Sequence, residues 1–338
     1  MEHGAIDLHT RRSEIRIVTE DGAVVLERRI TTTAEGFRAV FEGRAPMQIL
    51  VESSTESEWV AHTLEACGHE VIVADPNYTL MYGCRARIKT DRRDVAALAE
   101  ACRVGIYRRA HRVSAEQRRW RRALRIREQL VRVRTQTINL LRAQLRQEGY
   151  RLARGASEST VTRYERLELP PGLSQALQPL IDVLTHLREA IGEADRALQQ
   201  QAQAEPVVRR LMTVPGVGPI TALTFRATLD DVRRFATAAG ATAYVGLVPR
   251  EESSAERRRR GAITKRGPGT LRSLLVQAAW VVWRRRKAGG GLYAWVERLA
   301  ARRKKPVAVV ALARRLTRIL YAMWRDGTDY QPGLVRAA

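Results

Sequence analysis

Over its first hundred residues the chain switches between short β-rich runs and amphipathic helical runs, and that order restricts its fold more than any other feature. "AIDLHT" and "EIRIVTE" read as strands, and Asp21-Gly22 supplies the turn into a third, "AVVLERRI". "TTAEGFRAVFEG" is a short helix closed by Gly43. "MQILVES" is a compact strand, "SEWVAHTLEACGHE" an amphipathic helix ended by Gly68, and "EVIVADP" a buried strand stopped by Pro76. Thr90 is the expected N-cap of a helix running to about Val104. The order βββ-α-β-α-β-α predicts an α/β sandwich built on a mixed five-stranded sheet.

That order is also the ribonuclease-H-like one. From Ser114 to about Arg151 the chain predicts one long Arg-rich helix. Its stripe Leu124, Val131, Ile138, Leu145 is interrupted by the charged partner positions Arg127 and Arg134. After Pro170-Pro171-Gly172 a cleaner pattern begins: Leu173, Leu177, Leu180, Leu184, Leu187, Ile191, Ala194, Leu198. Alternating steps of four and three make a coiled-coil seam, serving either a helical hairpin within the chain or a zipper between chains. Pro179 kinks that helix or marks its start. From Pro206 the chain is small, helical and basic. "LMTVPGVGPITA" predicts a helix-hairpin-helix whose Gly216 and Gly218 let backbone N–H groups approach a phosphate; the plain alternative is a tight interhelical turn. A helix, a Gly/Pro loop, a basic loop and two further helices follow. The expected division is a catalytic domain at 1–112, an Arg-rich and coiled-coil linker at 113–205, and a mainly α domain at 206–338.

Charge narrows the partner. The chain carries 59 Lys+Arg against 36 Asp+Glu, a net +23. Two windows hold nearly all of the excess: Glu251–Lys305 is +12 (16 against 4) and Val113–Arg154 is +9 (12 against 3). Two dedicated polyanion surfaces fit this better than a generally basic protein, and nucleic acid is the first candidate polyanion. Arg118, Arg119, Arg121, Arg122 and Arg125 on the long helix, with few aromatics among them, suit backbone tracking rather than base stacking. Trp280, Trp283, Trp295 and Trp324 fall at helical positions and read as core. Cys67, Cys84 and Cys102 fit no zinc or disulfide spacing, which suits a reducing cytosol; no apolar run is long enough for a membrane span, and the N-terminus is no signal peptide.

Four carboxylates carry the chemistry. Asp91 and Asp94, three apart, share one face of a helix start, where an acidic residue alone suits the dipole. Asp7 lies inside an apolar strand, where an unpaired carboxylate is costly, and Glu52 ends another strand. In a ribonuclease-H-like sheet the metal-binding carboxylates come from such places: the first strand, a neighbouring strand end and a late helix. A four-carboxylate cluster repels itself unless divalent cations occupy it. Hard oxygen ligands select Mg²⁺ or Mn²⁺, and two ions suit phosphodiester chemistry.

"AIDLHT", "VES", "KTDRRDVAALA", "TVPGVGPITA", "YVGLVPREESSAERRRRGAITKRG" with "LRSLL", and "KPVAVVALARRLTRILYAMWRDG" occur in this order. Together they resemble the DEDD-type insertion-sequence transposases of the IS-110/IS-1111 class, relatives of the Piv-type DNA invertases. The resemblance implies a RuvC-like N-terminal domain, a coiled-coil linker and a C-terminal transposase domain. It implies recombination of donor and target DNA guided by a structured bridge RNA, at the nucleoid when active; because such exchange needs four strand cuts and the Leu173–Leu198 seam offers an interface, a homodimer or homotetramer through the coiled coil is expected. It maps the DEDD set onto Asp7, Glu52, Asp91 and Asp94. A nucleophilic serine, five residues after the proline of "GLVP", maps onto Ser254, with Ser253 adjacent and Ala255 where many relatives have glycine. Arg257, Arg258, Arg259, Arg260, Lys265 and Arg266, with Arg272 beyond them, would hold phosphates or offset transition-state charge. Competing readings are a metal-dependent endonuclease of Holliday-junction-resolvase type, a Piv-type invertase, and a non-catalytic nucleic-acid-binding scaffold.

Overall fold

A computed structural model describes residues 1–82, 91–254 and 257–332; for Thr79, Tyr82, Asp91, 252–254, 257–260 and Ala288 it describes the backbone alone. Thr90, the expected helix cap, and Ala255 lie outside the described residues. The chain divides into two compact units, Met1–Val113 and Ser114–Ala338.

The first unit takes its shape from five strands, three of them apolar on both faces. These are β1 (His3–Asp7), β2 (Arg12–Val18), β3 (Val24–Thr31), β4 (Gln48–Glu52) and β5 (Glu70–Ala74), interleaved with helices α1 (Ala34–Phe41), α2 (Ser57–Ala66) and α3 (Asp91–Val104). The sheet order is β3-β2-β1-β4-β5. β1 pairs antiparallel with β2 and parallel with β4, and β4 pairs parallel with β5. Alternation then sorts the side chains. Ile6, Val51 and Val73 pack with Phe37 and Phe41 of α1 and with Val60 and Leu64 of α2. Ala5, Leu50 and Ile72 pack with Val95, Leu98 and Ala99 of α3 on the opposite face. Gly22 (φ +91°) makes the β2–β3 turn, and Thr33 Oγ1 accepts the Gly36 N–H at 3.1 Å to start α1. The mixed five-stranded sheet matches the order predicted from the residues.

The second unit is mostly helical. α4 (Ala115–Gln147), α5 (Thr160–Tyr164) and α6 (Pro171–Ala204) come first. Late α4 packs on early α6 through Ile138, Leu141, Leu145, Leu177, Ile181 and Leu184, while early α4 (Trp120, Leu124) shares a core with Leu198 and Ala202. The two long helices are therefore an antiparallel hairpin. One side of the coiled-coil seam is covered within the chain: Leu177, Leu184, Ile191 and Leu198 are buried, and Leu173, Leu180, Leu187 and Ala194 are half-buried. Pro179 neither breaks nor begins α6, which starts at Pro171 and carries Pro179 on an exposed position.

The remaining elements are α7 (Pro206–Leu211), α8 (Pro219–Leu229), α9 (Ala238–Val245), β6 (Pro249–Ser254), β7 (Arg257–Ile263), α10 (Gly269–Arg284), α11 (Arg286–Ala300) and α12 (Lys305–Asp326). Their core includes Leu312, Leu316 and Leu320 of α12 and also Trp120, Leu124 and Leu198. The segment expected as a separate linker is thus rooted in the same unit as the segment after it. The expected basic loop is instead a two-stranded antiparallel ribbon, β6–β7. Among the described residues no helix is long and apolar enough to cross a membrane.

Candidate functional site

The first unit brings carboxylates to one end of its sheet. Asp7 ends β1 and Glu52 ends the parallel neighbour β4, each one residue beyond the Ile6–Val51 pair. Alternation from Ala5 and Leu50 puts both side chains on the α3 face. Helix α3 runs against β4: the Cys102 thiol, near its C-terminal end, lies 3.7 Å from the carbonyl of Gln48, which begins β4. Going from Cys102 back to Asp94 covers about 12 Å of helix, and going from Gln48 to Glu52 covers about 13 Å of strand. Asp94 therefore comes level with Glu52, and Asp91 lies one turn beyond; its side chain is outside the described set. Asp7 is 9% exposed, and His9 Nε2 lies 3.3 Å from its Oδ2.

A fifth carboxylate joins them. Glu14 pairs with Asp7 in the β1–β2 register and is held by Arg29 at 3.1 Å. No motif flags Glu14; the alternation of "EIRIV" was its only signal. Every candidate ligand is a carboxylate, the donor type that hard cations prefer. Among the described residues, which omit the Asp91 side chain, no group of three or more His, Cys, Asp or Glu stands close enough to hold a metal ion. The backbone gathers these residues at one sheet end without closing them into a ligand shell.

The second unit holds the serine segment. Ser253 pairs with Arg258 and Ser254 with Arg257, so Ser254 is the last residue of β6. The foot of this ribbon is tightly fixed. The Thr264 N–H donates to the Val248 carbonyl at 2.9 Å, and the Lys265 N–H to that of Gly246 at 3.2 Å. The side chains of Ser253, Ser254, Arg257, Arg258, Arg259 and Arg260 lie outside the described set; Lys265 and Arg266 are exposed.

The predicted phosphate-approach turn separates into two roles. Gly216 (φ +84°) is required by packing, because a Cβ there would stand 2.5 Å from the Ala278 carbonyl oxygen of α10. Gly218, which caps α8, has nothing within 4 Å of a Cβ and leaves its side of the turn open.

The arginines of α4 also separate. Arg121 is spent on the C-terminus of α8, donating to the carbonyls of Ala227 (2.7 Å) and Thr228 (2.8 Å), and burial pulls its pKa down. Arg272 likewise donates to the Val245 carbonyl that ends α9, at 3.0 Å. Both were expected at the nucleic-acid surface, and both cap helices instead. Arg119, Arg122 and Arg125 remain exposed, and Arg118 is half-buried. The four tryptophans pack partly buried on the core, each under a cation: Trp283 and Trp280 lie 4.7 and 5.8 Å from Lys305 Nζ, Trp295 4.7 Å from the Arg315 guanidinium and Trp324 4.7 Å from that of Arg226.

Comparison with known proteins covers both units. A profile described as "Transposase IS116/IS110/IS902 family" matches residues 208–294, and a DEDD profile of IS110 type, described as "Transposase", matches residues 5–149. A probable family 20 transposase of Pseudomonas aeruginosa is 33% identical over 303 residues, covering 88% of this chain and 89% of its own length. The transposase for insertion sequence element IS1111A of Coxiella burnetii is 33% identical, covering 72% of this chain and 69% of its own. The transposase for insertion sequence element IS1328 of Yersinia enterocolitica is 31% identical, covering 84% and 86%.

Proposed function

The chain belongs to the IS116/IS110/IS902 family of transposases, enzymes that cleave and rejoin DNA, and from that premise we propose that it exchanges strands through a metal-assisted serine nucleophile under the direction of a structured guide RNA. The observation that carries the reading is the shared sheet end of Asp7, Glu52 and the first turns of α3, in a mixed sheet of order β3-β2-β1-β4-β5 that is consistent with a ribonuclease-H-like, RuvC-like domain. Asp7, Glu52, Asp91 and Asp94 would hold two Mg²⁺ or Mn²⁺ ions. Such ions, when bound, offset charge on the attacking and leaving oxygens of a phosphodiester.

The chain's own part begins at Ser254. A serine hydroxyl is a weak nucleophile until its proton is drawn away. Its Oγ then bonds to phosphorus, one deoxyribose oxygen leaves and takes up a proton, and a phosphoserine ester links protein and DNA. A second DNA hydroxyl attacks that ester, and Ser254 regains its proton. One ester replaces another at each step, so no ATP is consumed. Arginines 257–260 and Lys265-Arg266 offset the transition-state charge. Site choice by base-pairing with a bridge RNA agrees with the lack of any base-reading motif in the sequence. Exchange cuts four strands, so two or four copies act together in the cytoplasm at the nucleoid, meeting on the half-exposed flank of α6 at Leu180, Val183 and Leu187.

The test is strand exchange with Mg²⁺ by wild type, Ser253→Ala and Ser254→Ala, with any co-purifying RNA sequenced. The expected result is a trapped covalent protein–DNA adduct that only Ser254→Ala abolishes. Cleavage that survives Ser254→Ala would make water the nucleophile and the chain a resolvase-type nuclease.

A further inference from the structure

Four arginines meet at the far end of the α4–α6 hairpin, a place with no role so far. Arg142 and Arg146 stand one turn apart near the end of α4 and Arg151 and Arg154 come from the loop beyond it; with Leu152 and Gly155 they line a hollow of about 540 Å³. The loop is built, not loose. Gly149 (φ +82°) turns the chain out of α4. The Arg163 guanidinium then acts as a peg, donating to the carbonyls of Ala153, Ala156 (2.6 Å) and Ser159 (3.1 Å) and to Thr160 Oγ1 (3.2 Å).

The charge in the hollow is uncompensated. Arg134, two turns earlier, has Glu158 at 2.9 Å, but none of the four lining arginines makes an ion pair among the described residues. Four like charges around one hollow repel one another, and an anion relieves that repulsion. No aromatic side chain lines it, which argues against stacking of unpaired bases.

We propose that this hollow grips the phosphodiester backbone of a nucleic-acid duplex, as a second contact one helical turn away from the arginines at the root of α4. Exposed Arg125 and Arg146 lie about 32 Å apart along the helix axis, against about 34 Å for a turn of duplex. Exposed Arg132 lies between them, and the three fall within about 60° around α4. A duplex lying along α4 presents phosphates to both ends of that row. The proposal rests on the reading of the chain as a nucleic-acid enzyme. A DNA duplex and an RNA stem share the required chemistry.

The test is fluorescence anisotropy of the full-length protein carrying Ser254→Ala, with duplexes of about 8 and about 24 base pairs, each made as DNA and as RNA, over a salt series. Arg151→Gln/Arg154→Gln is compared with Arg188→Gln/Arg196→Gln, which removes the same charge from exposed positions of α6 outside both basic windows. The long duplex is expected to bind the loop variant about tenfold more weakly, with a salt slope shallower by about one to two; the short duplex and the control pair are expected to show no such change. The nucleic acid that shows the loss identifies the source of the phosphates. Arg142→Gln/Arg146→Gln, on the helix itself, must reproduce the effect if the loop variant loses its circular dichroism. Equal losses for short and long duplexes, equal losses in the control pair, or unchanged binding by both hollow variants would overturn the proposal. Cleavage enters no arm, so failure here leaves the serine reading intact.

Discussion

The backbone of Gly246 lies so close to that of Arg266 that a Cβ at 246 would stand 2.0 Å from the Arg266 carbonyl oxygen. The contact is reciprocated one residue on: a Cβ at Gly267 would stand 2.0 Å from the Tyr244 carbonyl oxygen. Both glycines have left-handed φ, +76° and +89°. Two chain segments therefore cross with no side chain between them at the foot of the β6–β7 ribbon. The crossing determines where the ribbon, and Ser254 at the end of β6, can point.

Gly246→Ala should consequently remove strand exchange although the Ser254 residue itself is unchanged. The left-handed φ alone costs about 1 kcal/mol, and the backbone overlap adds to it, so a loss above about 2 kcal/mol in unfolding free energy is expected. Gly261→Ala is the control, since its Cβ would meet only the Arg250 Cβ at an ordinary 3.8 Å. Denaturant melts and exchange assays on both read the difference. A Gly246→Ala protein with wild-type stability would show that the crossing is not a constraint.

The two glycines of the turn between α7 and α8 should behave oppositely. Gly216→Ala forces a Cβ against the Ala278 carbonyl and should destabilise the second unit. Gly218→Ala meets open space, so folding should persist; if a phosphate approaches there, binding to duplex should weaken severalfold. Thermal melts and anisotropy separate the two effects.

How far the residues themselves disclose this arrangement depends on what each element buries. β1, β4 and β5 are apolar on both faces, so they stand out in the sequence, and Asp7 and Glu52 with them. The ribbon was missed because "PREESSAERRRRGAI" has no apolar alternation; its pairing rests on backbone hydrogen bonds. The α6 seam was legible, but its covering was not: spacing shows which face is apolar and says nothing of which helix takes it. Arg121 and Arg272 look like any surface arginine until the helix ends they cap are in view. Glu14 becomes a neighbour of Asp7 only through strand register.

Asp7→Asn and Asp94→Asn should each lower Mg²⁺-dependent strand exchange by on the order of 100-fold or more while leaving the fold intact, because they remove charge and keep shape. Glu14→Gln, whose carboxylate is already held by Arg29, should cost less. Single-turnover cleavage with matched circular dichroism checks the ranking. Equal activity in Asp7→Asn and wild type would remove the sheet end from the mechanism.

Thiol reactivity offers a check on the first unit's core. Burial pushes the Cys102 thiol up to about 12. Near pH 8 it holds almost no thiolate, and its surroundings exclude reagent. Cys67 is also raised by burial, but it is only half-buried. Alkylation followed by peptide mapping should label Cys67 well before Cys102, with Cys102 reacting only after denaturant is added.

Acid should reveal the last strap of the first unit. Arg112 reaches back to α2, donating to Glu58 at 3.1 and 3.3 Å and to both carboxylate oxygens of Glu65, one of them at 3.1 Å. The hydrogen bond from Arg112 is the largest influence holding the Glu65 carboxyl below its ordinary 4.5. A carboxyl whose folded pKa is depressed stabilises the fold above its unfolded value, and that contribution disappears as pH falls through the folded value. Glu65→Gln should therefore lower the melting temperature at pH 7 by about 2 °C, a modest shift because the pair is partly exposed. The gap between variant and wild type should narrow as pH drops below about 4.5 and close once the carboxylate is protonated in both states. Melts at intervals from pH 7 down to pH 3 measure it. A gap that stays constant over that range would mean that Glu65 contributes through packing rather than through its charge.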